Sequence, residues 1–285
     1  MPELPEVEVI CRGLEPNLVA RTIIAVAFGS QKMRLPLPAH ESALWVTGHK
    51  IVAVRRRAKF ILVDLDSAAT ILIHLGMTGR LNFFPTGSVV AKHDHARWEL
   101  DNGLELRFND TRRFGSVQVI TPDQDRAELF KDLGPDPFWS EFNAEYLVLT
   151  AKDRQVPVKS FLMDNRVVTG IGNIYASEIL FSSGMNPTSP VGLLTIRDWR
   201  AIVTNSQLIL SEAIACGGTT ISDYVNSRGE KGLFQTRLRV YGRAGQPCPN
   251  CGQAISQVRL GGRASFYCSA CQPVQHPKKS LKKTP

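Results

Sequence analysis

The stretch Arg97-Trp98-Glu99-Leu100-Asp101-Asn102-Gly103-Leu104-Glu105-Leu106-Arg107-Phe108 carries the clearest fold signal in the chain. Polar and apolar residues alternate on both sides of Asn102-Gly103, and this pair favours the tight turn of a β-hairpin. Further apolar runs with many β-branched residues precede it at 23–28, 50–54, 60–65 and 70–75. Short strands at this spacing predict a β-sandwich or barrel for the N-terminal half.

The second half of the chain is predicted to be helical. The alternation ends near Leu133-Gly134-Pro135-Asp136-Pro137, which we interpret as a linker. Segments 161–168 and 173–183 then have helical spacing on either side of the glycine turn 169–172, with Asn173 as a natural N-cap. A helix N-terminus after such a turn is a ready anion site. A long amphipathic helix follows and ends at Cys216-Gly217-Gly218.

Composition narrows the class of protein. The 285 residues are 43% apolar and 21% charged, which indicates a globular chain long enough for two domains. No apolar run approaches the ~20 residues of a membrane span, and acidic residues stand where a signal peptide would be basic. We therefore expect an intracellular location. A formal net charge of +8 suggests a polyanionic partner, although charge alone decides little.

Two CxxC pairs form the strongest motif that spacing alone supports. Cys248 and Cys251 precede Cys268 and Cys271 by 16 intervening residues, a register that fits a tetrahedral zinc ion on a small β-hairpin. Two disulfides are the alternative, which the missing signal peptide disfavours. With four thiolates bound, the zinc would be structural and would have no open position for catalysis. Arg263 follows Gly261-Gly262 at the predicted hairpin tip, where it can enter a DNA groove.

The first six residues, Met1-Pro2-Glu3-Leu4-Pro5-Glu6, allow two interpretations. Removal of Met1 would leave Pro2 with a free secondary amine, a nucleophile that can attack an electrophilic carbon and form an iminium ion. Glu3 and Glu6 would then serve as neighbouring acid and base groups. The other interpretation is helix punctuation, because proline and acidic residues are common in the first turn of a helix.

Three polar clusters interrupt the predicted strands. Segment 55–59 holds four cations, which either steer a phosphate backbone or keep an edge strand soluble. Segment 74–80 would hold Met77 at the tip of a glycine turn, as an apolar wedge or as core filler. Segment 109–115 joins Arg112 and Arg113 to Phe114, which suits phosphate contact and base stacking, or a solvated loop with Phe114 in the core.

Together these motifs resemble the bacterial formamidopyrimidine-DNA glycosylases, a family that repairs 8-oxoguanine. The resemblance rests on segments 2–8, 74–79, 110–115 and 170–176 and on the four-cysteine finger, and it runs in order from Pro2 to about Gln272. It implies a multi-domain α+β fold: an N-terminal β-sandwich with flanking helices, a helix-two-turn-helix domain and a C-terminal β-hairpin zinc finger. The implied domains are 1–133 (catalytic sandwich), 134–235 (helix-two-turn-helix with a lesion-capping loop), 236–272 (zinc finger) and 273–285 (basic, disordered tail).

The resemblance also implies an activity. The enzyme would remove 8-oxoguanine and formamidopyrimidines from double-stranded DNA, which crosses between the two halves of the chain. Pro2 would attack the sugar C1′, Glu3 would be the principal acid and base, Lys59 would contact the lesion and a nearby phosphate, and Glu6 would position the amine or the lesion. The strand would then be cut by β,δ-elimination at the abasic site, with one structural Zn²⁺ and without a catalytic metal or organic cofactor.

The remaining site residues are implied in the same way. Met77, Arg112 and Phe114 resemble the side chains that fill the gap left by the everted base, and Lys159, Asn173 and Arg263 resemble phosphate clamps. Further DNA contacts are expected from His74, His93, Arg113 and Tyr175. Segment 219–224 resembles the lesion-capping loop, with Thr219, Thr220, Ser222 and Tyr224 as its candidate contacts. The zinc ligands would be Cys248, Cys251, Cys268 and Cys271.

Two other functions stay open on the sequence. The first is an endonuclease VIII-like glycosylase for oxidised pyrimidines, against which Leu4 argues because that branch typically has glycine there. The second is a zinc-containing DNA-binding protein without catalysis. Thr78 and Thr111 depart from the serine and proline common in the resembled family, and we expect both changes to be tolerated. We expect a monomer in the bacterial cytoplasm, associated with the nucleoid through DNA.

Overall fold

The computed structural model describes residues 2–219 and 234–274. The described helices are α1 (Leu4–Leu18), α2 (Ala39–Trp45), α3 (Arg126–Phe130), α4 (Ala144–Ala151), α5 (Val158–Leu162), α6 (Asn173–Ser182) and α7 (Ile196–Ala215). The described strands are β1 (Ile23–Phe28), β2 (Ile51–Arg57), β3 (Phe60–Leu65), β4 (Thr70–His74), β5 (Arg80–Pro85), β6 (Asp94–Leu100), β7 (Leu104–Asn109), β8 (Ser116–Ile120), β9 (Ser256–Leu260) and β10 (Arg263–Tyr267). The α+β fold class is confirmed.

The chain divides into two compact units. The first comprises Met1–Lys131 and Ser211–Thr236, and the second comprises Asp132–Leu210 and Arg237–Pro285. Within the part of the chain that the structure describes, no helix is both long enough and apolar enough to cross a bilayer.

The first unit is a β-sandwich of two antiparallel four-stranded sheets, ordered β1-β6-β7-β5 and β2-β3-β4-β8. The predicted hairpin at Asn102-Gly103 is present, with Trp98 opposite Leu106 and Gly103 at φ +76°. Alternation places Trp98, Leu106 and Phe108 in the core, where both sheets and α1 contribute buried residues. Burial of these side chains is what holds the two sheets together.

Several elements of this unit differ from or add to the sequence-based prediction, among them α1, β5 and β8. Pro16 is a residue that usually ends a helix, yet helix α1 continues to Leu18, which is buried. Pro16 lies in the last turn, where it removes a single N–H donor from the helix, and the Val19 N–H still bonds to the Glu15 carbonyl. Strands β5 and β8 were not predicted, and each is an edge strand that completes one of the sheets.

Two connections pass from one sheet of the sandwich to the other at the same end. The first joins β4 to β5 and contains residues 75–79, which we call the Met77 turn. The second joins β7 to β8 and contains residues 110–115, which we call the Arg112 loop. Arg80 pairs with Asn109 in one sheet and His74 pairs with Ser116 in the other, so the two connections start and finish side by side.

The second unit combines helices with the β9–β10 hairpin. The helix predicted at 161–168 is instead the shorter α5, because Asp164 accepts the Arg166 N–H and turns the chain. Gly172, rather than Asn173, is the N-cap of α6, which frees the Asn173 side chain for other bonds. Buried Glu178 of α6 accepts the backbone N–H groups of Arg239, Val240 and Tyr241, which ties the approach to the hairpin onto the helix.

Candidate active site

The start of α1 is buried. Pro2 is buried next to Glu3, which is 3% exposed, and Glu6, which is 2% exposed. One oxygen of Glu6 accepts the Glu3 N–H at 2.8 Å, and the other accepts the Thr219 N–H at 2.8 Å and the Thr219 hydroxyl at 2.9 Å. Glu3 is also the N-cap of α1, so the start of the helix and a pair of buried carboxyl groups next to Pro2 coexist at this position.

Lys59 lies in the tight turn between β2 and β3 and is 8% exposed. The next residue, Phe60, pairs with His74 across the β3–β4 ladder, which brings Lys59 beside the end of β4. The other cations of segment 55–59 have separate partners: Arg55 bonds to Asp64 at 2.6 Å and Arg56 to Glu8 of α1 at 2.9 Å. The four-cation cluster is therefore divided, with Arg55 and Arg56 bonded to carboxylates.

His74 is held in one tautomer. Its Nδ1 accepts the Gly76 N–H at 3.1 Å, so in the neutral ring Nε2 carries the proton. Burial lowers the pKa of His74, and the positive charges of Lys59 and Arg34 lower it further. Arg34 is a basic neighbour that the sequence interpretation did not single out, because it follows β1 in an irregular segment far along the chain. At neutral pH the His74 ring is uncharged and has one N–H to donate.

Met77, Arg112 and Phe114 project from the two neighbouring connections. Met77 is 43% exposed and Phe114 is 45% exposed, so neither is core filler. The Arg112 guanidinium lies 4.8 Å from the centre of the Phe114 ring, a cation–π contact that presents both groups together. An open depression of about 670 Å³ adjoins them and is lined by Lys32, Met33, Arg34, Arg112, Arg113 and Phe114.

Glycines allow the two connections to touch backbone to backbone. A Cβ on Gly76, which has φ +61°, would lie 2.5 Å from the Gly115 nitrogen and 2.5 Å from the Phe114 carbonyl carbon. A Cβ on Gly115 would lie 2.7 Å from the His74 oxygen. Only glycine fits at both positions, so Gly76 and Gly115 are needed for the backbones of the two connections to touch.

His93 lies beside the same connections. It is half-buried, and its backbone oxygen accepts the Asp110 N–H at 3.1 Å. Its Nδ1 has no hydrogen-bond partner among the described residues. Arg113, also expected to contact DNA, is exposed and donates to the Lys32 carbonyl at 3.4 Å.

In the second unit, Lys159 and Asn173 form one buried cluster. Lys159 is 1% exposed and donates to the Asn173 side chain at 2.7 Å, the Ser265 hydroxyl at 2.8 Å and the Ala264 carbonyl at 3.1 Å. Its three N–H groups therefore have protein acceptors, and in this conformation it braces the hairpin against the start of α6. Tyr175 is fully buried and presents no side-chain atom at the surface, whereas Arg263 at the hairpin tip is exposed.

The four predicted zinc ligands converge. The sulfur atoms of Cys248 and Cys271 are 3.8 Å apart, those of Cys251 and Cys268 are 3.5 Å apart, and all four lie within 4.8 Å of one another. Ligands at a Zn–S distance of about 2.3 Å in a tetrahedron are separated by roughly 3.8 Å, so the cluster fits one Zn²⁺. The predicted structural zinc site is confirmed.

The predicted lesion-capping loop lies largely outside the described residues. Thr219 is described and bonds to Glu6, whereas Thr220, Ser222 and Tyr224 fall in the undescribed segment 220–233. The described flanks are joined to each other, because the Phe234 N–H bonds to the Gly218 carbonyl at 3.1 Å. Tail residues 275–285 are likewise outside the described part.

Family models match three parts of the chain. They are the formamidopyrimidine-DNA glycosylase N-terminal domain at residues 1–117, the formamidopyrimidine-DNA glycosylase H2TH domain at residues 133–225, and the zinc finger found in FPG and IleRS at residues 245–274. The fold and the site therefore define an enzyme of the DNA-glycosylase class that carries a structural zinc finger.

Relatives match over nearly the whole chain. Formamidopyrimidine-DNA glycosylase of Acidithiobacillus ferrooxidans (strain ATCC 53993 / BNL-5-31) is 45% identical over 272 residues, 95% of this chain and 100% of the relative. The crystal structure of MutM (Fpg) from Thermus thermophilus has a TM-score of 0.84 at 35% identity and covers 96% of this chain and 99% of the other. Wild-type Lactococcus lactis Fpg in complex with DNA containing N7-benzyl-Fapy-dG has a TM-score of 0.87 at 29% identity, with 95% and 100% coverage. The chain belongs to the formamidopyrimidine-DNA glycosylase family.

Proposed function

We propose that this protein removes oxidised purines, 8-oxoguanine and formamidopyrimidines, from double-stranded DNA and then cuts the strand at the resulting abasic site. The observation that carries the proposal is the buried start of α1, where Pro2 adjoins two carboxyl groups and Glu6 holds the Glu3 backbone in place. Family membership over 95% of the chain supports the same substrate class.

The reaction begins at the Pro2 amine. Its lone pair attacks C1′ of the damaged nucleotide, the C–N bond to the base breaks, and the departing base takes a proton. The Pro2 nitrogen then loses its own proton, the C1′–O4′ bond of the sugar ring opens as O4′ takes up a proton, and the nitrogen and C1′ are left joined as an iminium ion. An α-amine has a pKa near ~8, so a neutral, nucleophilic fraction exists at physiological pH.

Glu3 supplies the proton transfers. Once the iminium exists, the C2′ proton is acidic, and its removal expels the 3′ phosphate; a second elimination expels the 5′ phosphate and leaves a one-nucleotide gap. Glu6 keeps the Glu3 backbone fixed through its 2.8 Å hydrogen bond. Lys59, in the adjoining β2–β3 turn, contacts the lesion and a nearby phosphate.

Recognition precedes this chemistry. A base stacked in a duplex hides its glycosidic bond, so it must be everted at a cost of a few kcal/mol. Exposed Met77 and Phe114, with Arg112 against the Phe114 ring, enter the vacated space and offset part of that cost. His74, His93, Arg113, Asn173 and Arg263 hold the DNA, and Thr219, Thr220, Ser222 and Tyr224 cover the everted base. Lys159 and Tyr175 support Asn173 and the hairpin of Arg263 within the second unit.

The proposal includes the organisation of the chain. Residues 1–133 form the catalytic domain, 134–235 the helix-two-turn-helix domain, 236–272 the zinc finger and 273–285 a basic tail. We place the protein, as a monomer, in the bacterial cytoplasm, where DNA binding associates it with the nucleoid.

Borohydride trapping tests the mechanism. Protein without Met1, incubated with 8-oxoguanine DNA and borohydride, should gain the mass of the DNA strand, because borohydride reduces the iminium to a stable amine. Protein that retains Met1, or that carries Pro2→Gly, should trap poorly or not at all. A Met1-free protein that binds lesion DNA without forming any adduct would identify a DNA-binding protein without catalysis.

A comparison of two lesions tests the substrate class. Excision of 8-oxoguanine opposite cytosine should exceed excision of thymine glycol under single-turnover conditions. Faster excision of thymine glycol would instead assign the chain the endonuclease VIII-like preference for oxidised pyrimidines.

A further inference from the structure

A buried carboxylate lies under the two connections that carry Met77, Arg112 and Phe114. Asp110 is fully buried, and its Oδ1 accepts the Thr78 hydroxyl at 2.5 Å and the Arg112 N–H at 3.3 Å. Its Oδ2 accepts the Gly115 N–H at 2.8 Å. One side chain therefore bonds to the Met77 turn and to two positions of the Arg112 loop, Arg112 and Gly115.

The Asp110 backbone is fixed as well. Its carbonyl accepts the Nε2–H of fully buried His95 at 2.8 Å, and its N–H donates to the His93 carbonyl at 3.1 Å. Asp110 thus follows the end of β7 with no freedom to turn away from the two connections. These two backbone bonds distinguish Asp110 from an aspartate that only accepts N–H groups of its own turn.

Thr78 completes the link from the opposite side. Its hydroxyl donates to Asp110 and accepts the Arg112 N–H at 3.1 Å. The Met77 turn and the Arg112 loop are therefore joined by side-chain bonds, in addition to the backbone contact of Gly76 with Gly115. A serine hydroxyl could make the same two bonds, whereas a valine methyl could make neither.

We propose that Asp110, together with Thr78, is a positioning residue for lesion eversion: it locks the two connections into one rigid wedge, so that Met77, Arg112 and Phe114 enter the duplex as a unit. The inference rests on the proposed function, because it assigns these three side chains to the vacated base position. Asp110 touches neither substrate nor reacting atoms and acts through the side chains that it holds.

The role proposed for Asp110 requires a carboxylate. Asp110 accepts at both oxygens, so Asp110→Asn keeps the shape but replaces one acceptor with an NH₂ group. That group must face either the Gly115 N–H or the Arg112 N–H, and each arrangement sets donor against donor. In this variant the two connections are less rigid, so they must become ordered while the base is everted. The entropy lost in this ordering raises the barrier and slows eversion.

The test compares two substrates in single turnover, with wild type, Asp110→Asn, Thr78→Val and Thr78→Ser. On duplex DNA with 8-oxoguanine opposite cytosine, Asp110→Asn and Thr78→Val should be about 30-fold slower, the effect of losing one or two bonds to a charged group. On duplex DNA with an abasic site, which has no base to evert, both should stay within about three-fold of wild type. Thr78→Ser should match wild type on both substrates, and Asp123→Asn, at an exposed aspartate, is the matched control.

Two further readouts separate positioning from general damage. The fluorescence of 2-aminopurine next to the lesion should rise more slowly in Asp110→Asn, because this signal follows eversion directly. The rate of the double variant Asp110→Asn/Thr78→Val should fall by less than the product of the two single losses, since Asp110 and Thr78 belong to one hydrogen-bonded network.

The outcomes are distinct. An equal loss on both substrates, or no loss on the 8-oxoguanine duplex, in a variant that melts like wild type overturns the inference. If Asp110→Asn fails to fold, Thr78→Val decides by the same criteria. The proposed function itself fails under a different result: the wild-type protein cleaves neither substrate and forms no borohydride-trapped adduct with either. This result is independent of what the variants do.

Discussion

Buried carboxylates organise loops in the described part of this protein, and Glu6, Asp110 and Glu178 each accept at least three hydrogen bonds. Glu6 accepts from Glu3 and twice from Thr219, Asp110 accepts from Thr78, Arg112 and Gly115, and Glu178 accepts from three successive N–H groups. A buried charge without such donors would cost several kcal/mol. Even with its donors, burial raises the pKa of Glu178. Single side chains thus fix the positions of segments that are far apart in sequence.

Gly76→Ala should destabilise the protein far more than Gly103→Ala. Both glycines have positive φ, but a Cβ on Gly103 meets nothing within 4 Å, whereas one on Gly76 lies 2.5 Å from backbone atoms of the Arg112 loop. We expect Gly103→Ala to cost about 1 kcal/mol. Gly76→Ala should cost about 3 kcal/mol because backbone has to move as well. Urea denaturation of the two variants measures the difference, and equal costs would contradict the backbone contact.

His74 should make stability depend on pH. Its pKa is lower in the folded protein than in the unfolded chain, because burial, Lys59 and Arg34 disfavour its charged form. The unfolded chain therefore binds the proton first, and stability falls as the pH drops below about 6.5.

The pH effect is measured as a difference between variants. Lowering the pH from about 7.5 to about 5.5, a range that spans the ordinary pKa of histidine, should reduce the melting temperature of wild type more than that of His74→Gln. His40→Gln, at an exposed histidine, serves as the control and should follow wild type. A His74→Gln variant with the same pH dependence as wild type would show that the ring is not protected from protonation.

At the scale of elements, the zinc finger depends on its ion. The β9–β10 hairpin has two strands of five residues each and a small core, and Cys268 is itself fully buried in it. An element of this size needs the metal to fold. Chelation, or Cys268→Ser, should therefore abolish DNA binding, while the β-sandwich keeps its own core and stays folded.

The finger is tested by metal content, circular dichroism and DNA affinity measured on the same samples. Cys216→Ser is the matched control, because Cys216 lies outside the four-cysteine cluster. Unchanged affinity after verified loss of zinc would contradict the prediction.

Elements with strong periodicity were predictable, and elements defined by tertiary contacts were not. Alternation located β1, β3 and the β6–β7 hairpin, and cysteine spacing located the zinc site. Segment 161–168 has apolar residues at helical spacing, and they are buried on both sides of Asp164. The helix nevertheless ends at Leu162, because an Asx turn at Asp164 redirects the chain. The sequence also identified the loop around Asp110 without assigning that residue a role, because its donors lie up to 32 positions away.

For the whole molecule, charge dictates how binding responds to salt. The net charge is +8, and the cations Lys32, Arg34, Arg112 and Arg113 lie together around one depression. If roughly six phosphates are neutralised, affinity for DNA should fall about 1,000-fold between about 50 and about 200 mM salt, through release of counterions.

The salt response is measured by titrating labelled duplex DNA at several salt concentrations. Arg34→Gln should reduce the slope of log affinity against log salt by about one if Arg34 contacts a phosphate. Glu145→Gln, which changes the net charge by one unit in the opposite direction at an exposed carboxylate, should leave the slope unchanged. A slope near zero for wild type would contradict binding through phosphates.

The contact of Gly76 with Gly115 has a consequence for redesign. Because the backbone contact of Gly76 with Gly115 and the side chains of Asp110 and Thr78 join the Met77 turn to the Arg112 loop, the side chains at positions 77, 112 and 114 can be exchanged without repacking this junction. A redesigned enzyme could therefore keep this junction unchanged and vary only these three side chains to alter how the vacated base position is filled.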